Sequence, residues 1–261
     1  MQHHRRHSAA HRWARPHSER PTRWLAAQTT RRPAGSRGCP VGVTTDRRQR
    51  KVLVELNLRH LPLGVEHDPA AGVRWLTVAA EGGAPTAQML IGLMYAAGEW
   101  VEKDMKLAIK WLRRAAEQGN AIAQHHLGAC YHEGKGIKED EMKAARWFRA
   151  AAEQGHAEAQ FRLACLLAHG GVVHRNRIEA AMWYRRAAEQ GEAKSQARLA
   201  VCCASGEGTA RDRVEAFKWA KLAEADEPSM AELCSQLAER MPAEDVQRAE
   251  ELARQWQARR Q

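Results

Sequence analysis

The sequence has no long apolar run, no paired cysteines and none of the short motifs of common catalytic sites. A membrane-spanning helix needs about 20 consecutive apolar residues, and no stretch approaches that length, so we expect no membrane span. The six cysteines show no CxxC pair and no regular spacing, which favours reduced thiols over a disulfide framework or zinc site. GxSxG, HExxH and Walker-type loops are also missing, and we predict no catalytic residues, cofactor or metal.

Lysine is absent from residues 1–50, and acidic residues are nearly absent there. This segment holds twelve Arg against Glu19 and Asp46, which accounts for the whole formal net charge of +10. Residues 51–261 hold 29 Lys and Arg against 29 Asp and Glu. A balanced surface carries no electrostatic footprint of phosphate binding. Contact with nucleic acid or a membrane is therefore expected only through residues 1–50.

Aliphatic periodicity is also missing from residues 1–50, which are rich in Arg, His, Pro, Gly and Ser. This composition predicts a disordered basic tail. Three interpretations stay open: a solvated tail or a start codon assigned too early, an organellar transit peptide, and a non-specific anchor for nucleic acid or anionic lipid. A secretory signal is disfavoured because no adequate apolar segment follows the basic start. We expect a cytoplasmic protein.

Proline is absent between residues 86 and 227, and in this range the chain repeats itself every 36 residues. The repeating positions are Trp75, Trp111, Trp147, Trp183 and Trp219, an Ala four residues after each Trp, and Gly83, Gly119, Gly155 and Gly191. Several independent positions share one period, which indicates a repeat architecture.

Each repeat is predicted to contain two helices, A and B. Asp or Asn at 68, 104, 140, 176 and 212 is the expected N-cap of helix B, and the Gly four residues after the Ala ends that helix. Helix A, for example Ala121 to Glu133, has Ala123, Leu127 and Cys130 on one apolar face. One hairpin cannot cover its apolar side alone, so we predict that neighbouring hairpins stack.

Residues 121–155 resemble one unit of the Sel-one-like repeat (SLR) family. The family pattern is roughly AxAQxxLGxxYxxGxGVxxDxxKAxxWYxxAAxQG, and this segment reads AIAQHHLGACYHEGKGIKEDEMKAARWFRAAAEQG. The resemblance extends over residues 68–227. It implies an all-α, right-handed superhelix of helical hairpins, a solenoid similar to tetratricopeptide-repeat proteins.

The domain organisation follows from this period. After the tail we expect a degenerate first unit at 51–83, repeats at 84–119, 120–155, 156–191 and 192–227, and C-terminal capping helices at 228–259. Trp100 and Val172 replace a loop glycine that other repeats have at 136 and 208. We expect these two loops to be reshaped.

The resemblance also implies a protein–protein interaction scaffold. In related solenoids helix A lines the concave surface, so its side away from the core would form a groove of mixed apolar and basic character. Such a groove suits a peptide or helix of a partner protein. The candidate binding residues are Met89, Leu93, His125, His126, His132, Phe161, Arg162, His169 and Arg198. An alternative stays open for each of these positions, namely packing of one helix A against the next.

The repeated Trp residues and the His residues of one helix A also have structural interpretations. The five Trp are interpreted as structural residues between helices, not as a binding ladder. His125, His126 and His132 are interpreted as groove residues, because a metal site would need further ligands from neighbouring units.

The alternative function is a β-lactamase-like hydrolase of the cysteine-rich branch of the family, which carries a regular Cys pair in each repeat. We expect a monomer with protein partners of unknown identity and no small-molecule substrate.

Overall fold

The structure, a computed structural model, describes residues 69–171 and 174–260. Within these residues eleven helices follow one another and no strand occurs. They are α1 (Pro69–Glu81), α2 (Pro85–Ala97), α3 (Met105–Glu117), α4 (Ala121–Glu133), α5 (Glu141–Glu153), α6 (Ala157–His169), α7 (Arg177–Glu189), α8 (Ala193–Ser205), α9 (Arg213–Ala223), α10 (Ser229–Ala238) and α11 (Ala243–Ala258). The predicted tail, the first helix A at 51–67 and the loop residue Val172 lie outside the described residues.

The helices pack as successive antiparallel hairpins. The even-numbered helices α2 to α8 are the A helices, and the odd-numbered helices α1 to α9 are the B helices. From α1 to α10 each helix packs against its neighbour in sequence, and α11 packs on α9. The prediction of an all-α solenoid of helical hairpins with a 36-residue repeat is confirmed. Among the described helices none is long and apolar enough to cross a membrane.

The predicted N-caps begin the B helices. Asp104, Asp140, Asn176 and Asp212 each accept hydrogen bonds from first-turn amides of α3, α5, α7 and α9, with donor–acceptor distances of 2.9 to 3.1 Å. Their backbone N–H groups each donate to a carbonyl nine residues earlier in helix A. The same residue therefore starts helix B and fixes the A–B loop, which explains why an Asp or Asn recurs there.

Trp100 keeps the loop geometry that glycine has in the other repeats. Its φ is 60°, close to 71° at Gly136 and 76° at Gly208. The expectation that this loop is reshaped is wrong at the level of its backbone. A side chain in this left-handed region is strained, and the Trp100 indole is largely exposed.

The Trp positions differ in their burial. Trp111, Trp183 and Trp219 are buried, and Trp147 is half-buried. Trp75 is the exception, because its side chain is 67% exposed. Trp111 packs in a cluster with Ala80 of α1 and with Ala87 and Ile91 of α2. The equivalent surroundings of Trp75 would come from residues before α1, which lie outside the described residues, so its packing role stays a prediction.

Buried glutamines link consecutive repeats. Gln124 donates to the carbonyl of Ala116 at 3.1 Å and accepts from the side chain of Gln154 at 2.8 Å. Gln88, Gln160 and Gln196 donate in the same way to carbonyls at the end of the preceding B helix. Carbonyls at a helix C-terminus have no partner within their helix. The glutamine ladder therefore satisfies buried acceptors while tying the four B helices α1, α3, α5 and α7 together.

Ion pairs add a second ladder in the C-terminal repeats. Arg149 on α5 lies 2.6 Å from Glu179 on α7, and Arg185 on α7 lies 3.0 Å from Glu215 on α9. Each carboxylate also accepts from the indole N–H of the Trp four residues on. The residue of α5 equivalent to Glu179 is Lys143, not an acid, so no carboxylate on α5 can continue the ladder toward α3.

The array closes on α11. The Trp256 indole lies edge-on to Trp219, with ring centroids 6.0 Å apart. The guanidinium of Arg260 donates to the carbonyls of Glu189 and Gln190 at 2.9 and 2.6 Å. A cation at the C-terminus of α7 also interacts favourably with the helix dipole. These contacts give the last repeat the cover that each earlier repeat receives from its successor.

The carboxylate ladder predicts a loss of stability in acid. The hydrogen bond from Arg149 lowers the pKa of Glu179. Burial raises the pKa of Glu215, but the hydrogen bond from Trp219 and the charges of Lys218 and Arg185 outweigh it, so that pKa is also lowered. A carboxyl group whose pKa is lowered in the folded state stabilises the fold fully when the pH is above the ordinary pKa of the group, near 4.5. This stabilisation is lost as the pH falls through the folded-state pKa.

We therefore expect the double variant E179Q/E215Q to be less stable than the parent at pH 6, by about 1 kcal/mol, with the difference shrinking below pH 4. Urea denaturation at both pH values measures this difference. Glu153, exposed on α5, provides the control, because E153Q should leave the pH dependence unchanged. An E179Q/E215Q deficit that is the same at both pH values would contradict the assignment.

Candidate interaction surface

Each A helix presents one side to solvent. The A-helix face is defined here as positions 86, 90, 93 and 97 of α2 and the positions 36, 72 and 108 residues later in α4, α6 and α8. None of these side chains is buried, whereas positions 87, 88, 91 and 92 are buried in every repeat. The spacing i, i+4, i+7, i+11 is that of a single stripe along a helix. Every described A helix of a full repeat therefore contributes one such stripe.

Five of the predicted binding residues lie on the A-helix face. They are Leu93, His126, Arg162, His169 and Arg198. His132 and Phe161 are only partly exposed and lie beside this stripe, and their rings contact B-helix aromatics. His132 lies 6.5 Å from Phe148, and Phe161 lies 6.0 Å from Tyr184, measured between ring centroids.

Two predicted binding residues are buried. Met89 is 6% exposed and His125 is 4% exposed, so neither can line an open groove. The packing alternative is supported for His125, which contacts the N-cap of the next A helix, whereas Met89 is placed only in the apolar core. The His125 ring stacks on His156, the N-cap of α6, with centroids 4.7 Å apart. A ring stacked between two A helices contributes to repeat packing instead of ligand contact.

His125 belongs to a polar cluster at the α4–α6 junction. His126 lies edge-on to it at 5.1 Å, and Glu158 Oε2 lies 3.7 Å from its Nε2 atom. Nδ1 of His156 accepts from the backbone N–H of Ala159 at 3.2 Å, which orients the stacked ring. Among the described residues no group of three His, Cys, Asp or Glu side chains could hold a metal ion. The cluster therefore shapes the surface beside His126.

The middle of the A-helix face is polar and partly enclosed at Cys165. The Tyr184 hydroxyl of α7 donates to Cys165 Sγ at 3.4 Å. Burial raises the pKa of this thiol, while the Tyr184 hydrogen bond and the charges of Arg198 and Arg162 act in the opposite direction. Arg162 lies one turn before Cys165 on α6, and Arg198 lies on the next A helix, α8.

The described cysteines are free, as expected for reduced thiols. Burial is the largest influence on each, and it raises the pKa of Cys203 and of Cys234 to about 11. A raised pKa leaves little thiolate at neutral pH, and the thiolate is the nucleophilic form. These side chains consequently act as small apolar packing residues.

The sequence interpretation omitted one position of the A-helix face. It contains Thr86, Ile122, Glu158 and Lys194, one turn before the position of Leu90, His126, Arg162 and Arg198. Helical periodicity supplied the signal, since residues four apart share a face. The omission matters because Lys194 is an exposed cation beside Arg198.

Comparison with known proteins agrees with this architecture. The Sel1 repeat model matches residues 60–83, 85–120, 121–156, 157–192 and 193–225. The structure of a Sel1 repeat protein from Oxalobacter formigenes is similar, with a TM-score of 0.61 and 31% identity over 74% of this chain and 81% of that chain. A protective antigen present in uropathogenic Escherichia coli strains, which displays an SLR fold, gives a TM-score of 0.66 and 33% identity over 80% of this chain and 44% of that chain.

A comparison with curated proteins gives no match. The five matched repeats and the Oxalobacter structure extend over most of the helical array seen here, including the Trp, Gln and cap positions that build it. The chain belongs to the Sel1 repeat family.

Proposed function

We propose that this protein is a non-catalytic interaction scaffold whose A-helix face binds a segment of a partner protein. The observation that carries the proposal is the unbroken stripe of partly exposed side chains on four successive A helices. Stacked A helices offer a long surface with repeated spacing, and such a surface suits an extended peptide or a helix. By the family resemblance, this surface is the concave side of the solenoid.

The side chains of this face have the character of a binding surface. Leu90 and Leu93 are half-buried and Val201 is exposed, so apolar atoms are available to a ligand. Their apolar area is interleaved with imidazole, guanidinium and ammonium groups, which give orientation and specificity. Apolar anchors with a polar rim are the usual anatomy of a protein interface.

The alternative, a β-lactamase-like hydrolase, has less support. The described thiols are free, and the cysteines follow no repeat spacing. The described acidic side chains with lowered pKa values take part in structural ion pairs and caps, not in a shared cleft. A scaffold needs none of these groups to react, and we therefore favour binding over catalysis.

Selection from a random peptide display library tests the proposal. Peptides enriched on the parent protein should lose binding to L93E and to V201E, because a buried carboxylate in an apolar contact is unfavourable. The matched control is I178E, which places the same charge at an exposed apolar position on the B helix α7. We expect I178E to bind like the parent. Peptides that lose binding to I178E and retain it to L93E would place the interface elsewhere.

A further inference from the structure

The A-helix face changes character from one end to the other. On α2 it consists of Thr86, Leu90, Leu93 and Ala97, with no formal charge. On α8 it consists of Lys194, Arg198, Val201 and Ser205, with two cations and no acid. The intermediate helices carry charges of both signs, because α4 has Glu133 on this face and α6 has Glu158 and Arg162. One end is apolar and the other is basic.

The exposed cations of α8 are not held in ion pairs within the described fold. In the described part of the chain, neither Lys194 nor Arg198 forms an ion pair, and both are exposed. Arg162 reaches Glu158 only at 3.9 Å. By contrast, Arg149 and Arg185 on the B helices lie 2.6 and 3.0 Å from carboxylates of the next repeat. Arg149 and Arg185 are therefore used within the fold, whereas the cations of α8 remain available to a ligand.

Arg162 and Arg198 occupy the same repeat position on the successive A helices α6 and α8. Both guanidinium charges act on the pKa of Cys165, one turn after Arg162, and the carboxylate of Glu192 acts on it in the opposite direction. A pair of guanidinium groups in this arrangement matches carboxylates, which they bind by charge-assisted hydrogen bonds.

We propose that the segment bound on the A-helix face is an acidic peptide with an apolar part, its carboxylates over Arg162, Arg198 and Lys194 and its apolar side chains over Leu90 and Leu93. This inference rests on the proposed function, which locates the ligand, and adds the chemistry of that ligand. A nucleic acid fits the face less well, since its α2 part is uncharged and Glu133 and Glu158 also lie on it.

The test uses the full chain and three synthetic peptides of equal length. Each joins a Leu- and Ile-rich half to a second half that is rich in Glu, in Gln or in Lys. We expect the Glu peptide to bind about tenfold more tightly than the Gln peptide, and the Lys peptide to bind weakest. Binding of the Glu peptide should weaken as salt is raised, because exposed charges are screened.

Charge-reversal variants then locate the effect. R162E/R198E should weaken the Glu peptide about tenfold and should bind the Lys peptide better than the parent does. The control is R146E, a single reversal at an exposed arginine on the B helix α5, which should bind like the parent. Fluorescence anisotropy of labelled peptides measures all these affinities.

The outcomes separate the two proposals. Equal binding of the Glu and Gln peptides, abolished by L93E, would overturn the acidic ligand and leave the A-helix face as the interface. Failure of all three peptides would also overturn it, and the display selection then decides the proposed function alone. An RNA oligonucleotide that binds more tightly than the Glu peptide and is lost in R162E/R198E would replace it with a nucleic-acid ligand.

Discussion

Replacing Trp219 with alanine should lower the free energy of unfolding by about 3–5 kcal/mol, whereas the same change at Trp75 should alter it by less than about 0.5 kcal/mol. Both residues occupy the same position of the repeat. Trp219 is 1% exposed, and its indole N–H donates to Glu215 at 2.9 Å. Trp75 leaves two thirds of its side chain in solvent. The difference therefore reflects burial and not the motif.

Urea denaturation followed by far-UV circular dichroism measures both variants. The variant W219F separates the contributions, since it keeps most of the packing and loses only the hydrogen bond, which typically contributes about 1 kcal/mol. Hydrogen exchange adds a spatial test, because each repeat contacts only its neighbours. W219A should raise exchange in α9 and α11 more than in α3. Similar losses for W75A and W219A would show that the assigned burial is wrong.

The helices could be predicted from the sequence because each signal acts locally. An Asp or Asn caps the first turn of helix B, which begins at the next residue, and a glycine ends the preceding helix A. Asp104, Asp140, Asn176 and Asp212 needed only their immediate neighbours to reveal their role. The 36-residue period then ordered these helices into hairpins, since equal units bury their apolar sides by stacking.

The candidate surface could be predicted only in part. Periodicity places His125 and His126 on the same broad side of α4, yet one is buried and the other is half-exposed. The difference depends on how closely α6 approaches α4, and no local signal encodes that distance. Phe161 on α6 stays partly exposed at the same position where Met89 on α2 is covered. Tertiary packing, and not the local sequence, therefore decides which side chains turn toward the neighbouring helix.

Some repeat positions of the A helices are buried and their neighbours are exposed, and this difference has a functional consequence. Met89 and His125 are buried, and His125 stacks on the N-cap of the next A helix, so replacing these residues would disturb the packing of the repeats. Leu93 and Arg198 lie on the exposed stripe, and their replacement leaves the packed columns in place. Specificity can therefore vary at the A-helix face without altering the solenoid, which is how repeat scaffolds separate stability from recognition.

The glutamine ladder predicts that Gln160 contributes more to the free energy of unfolding than Gln190, although the two side chains share a hydrogen bond. Gln190 donates to Gln160 at 2.8 Å, and Gln160 in turn donates to the carbonyl of Ala152 at 3.0 Å. Gln160 is buried, whereas Gln190 is exposed at the end of α7. Removing the exposed Gln190 side chain lets water take its place as the donor to Gln160 Oε1, and the bond from Gln160 to the Ala152 carbonyl is kept. Removing Gln160 leaves the Ala152 carbonyl buried and without its donor.

We therefore expect Q160L to lower the free energy of unfolding by about 2–3 kcal/mol and Q190A by about 0.5–1 kcal/mol, because an unsatisfied buried acceptor costs more than a lost exposed bond. Leucine keeps the volume of Gln160, so a cavity does not contribute. Q255A on α11 is the reference, since its exposed side chain bonds only within its own helix. Urea denaturation gives the three values. Equal costs for Q160L and Q190A would mean that the Ala152 carbonyl is solvated, and the ladder would then hold the repeats together by packing alone.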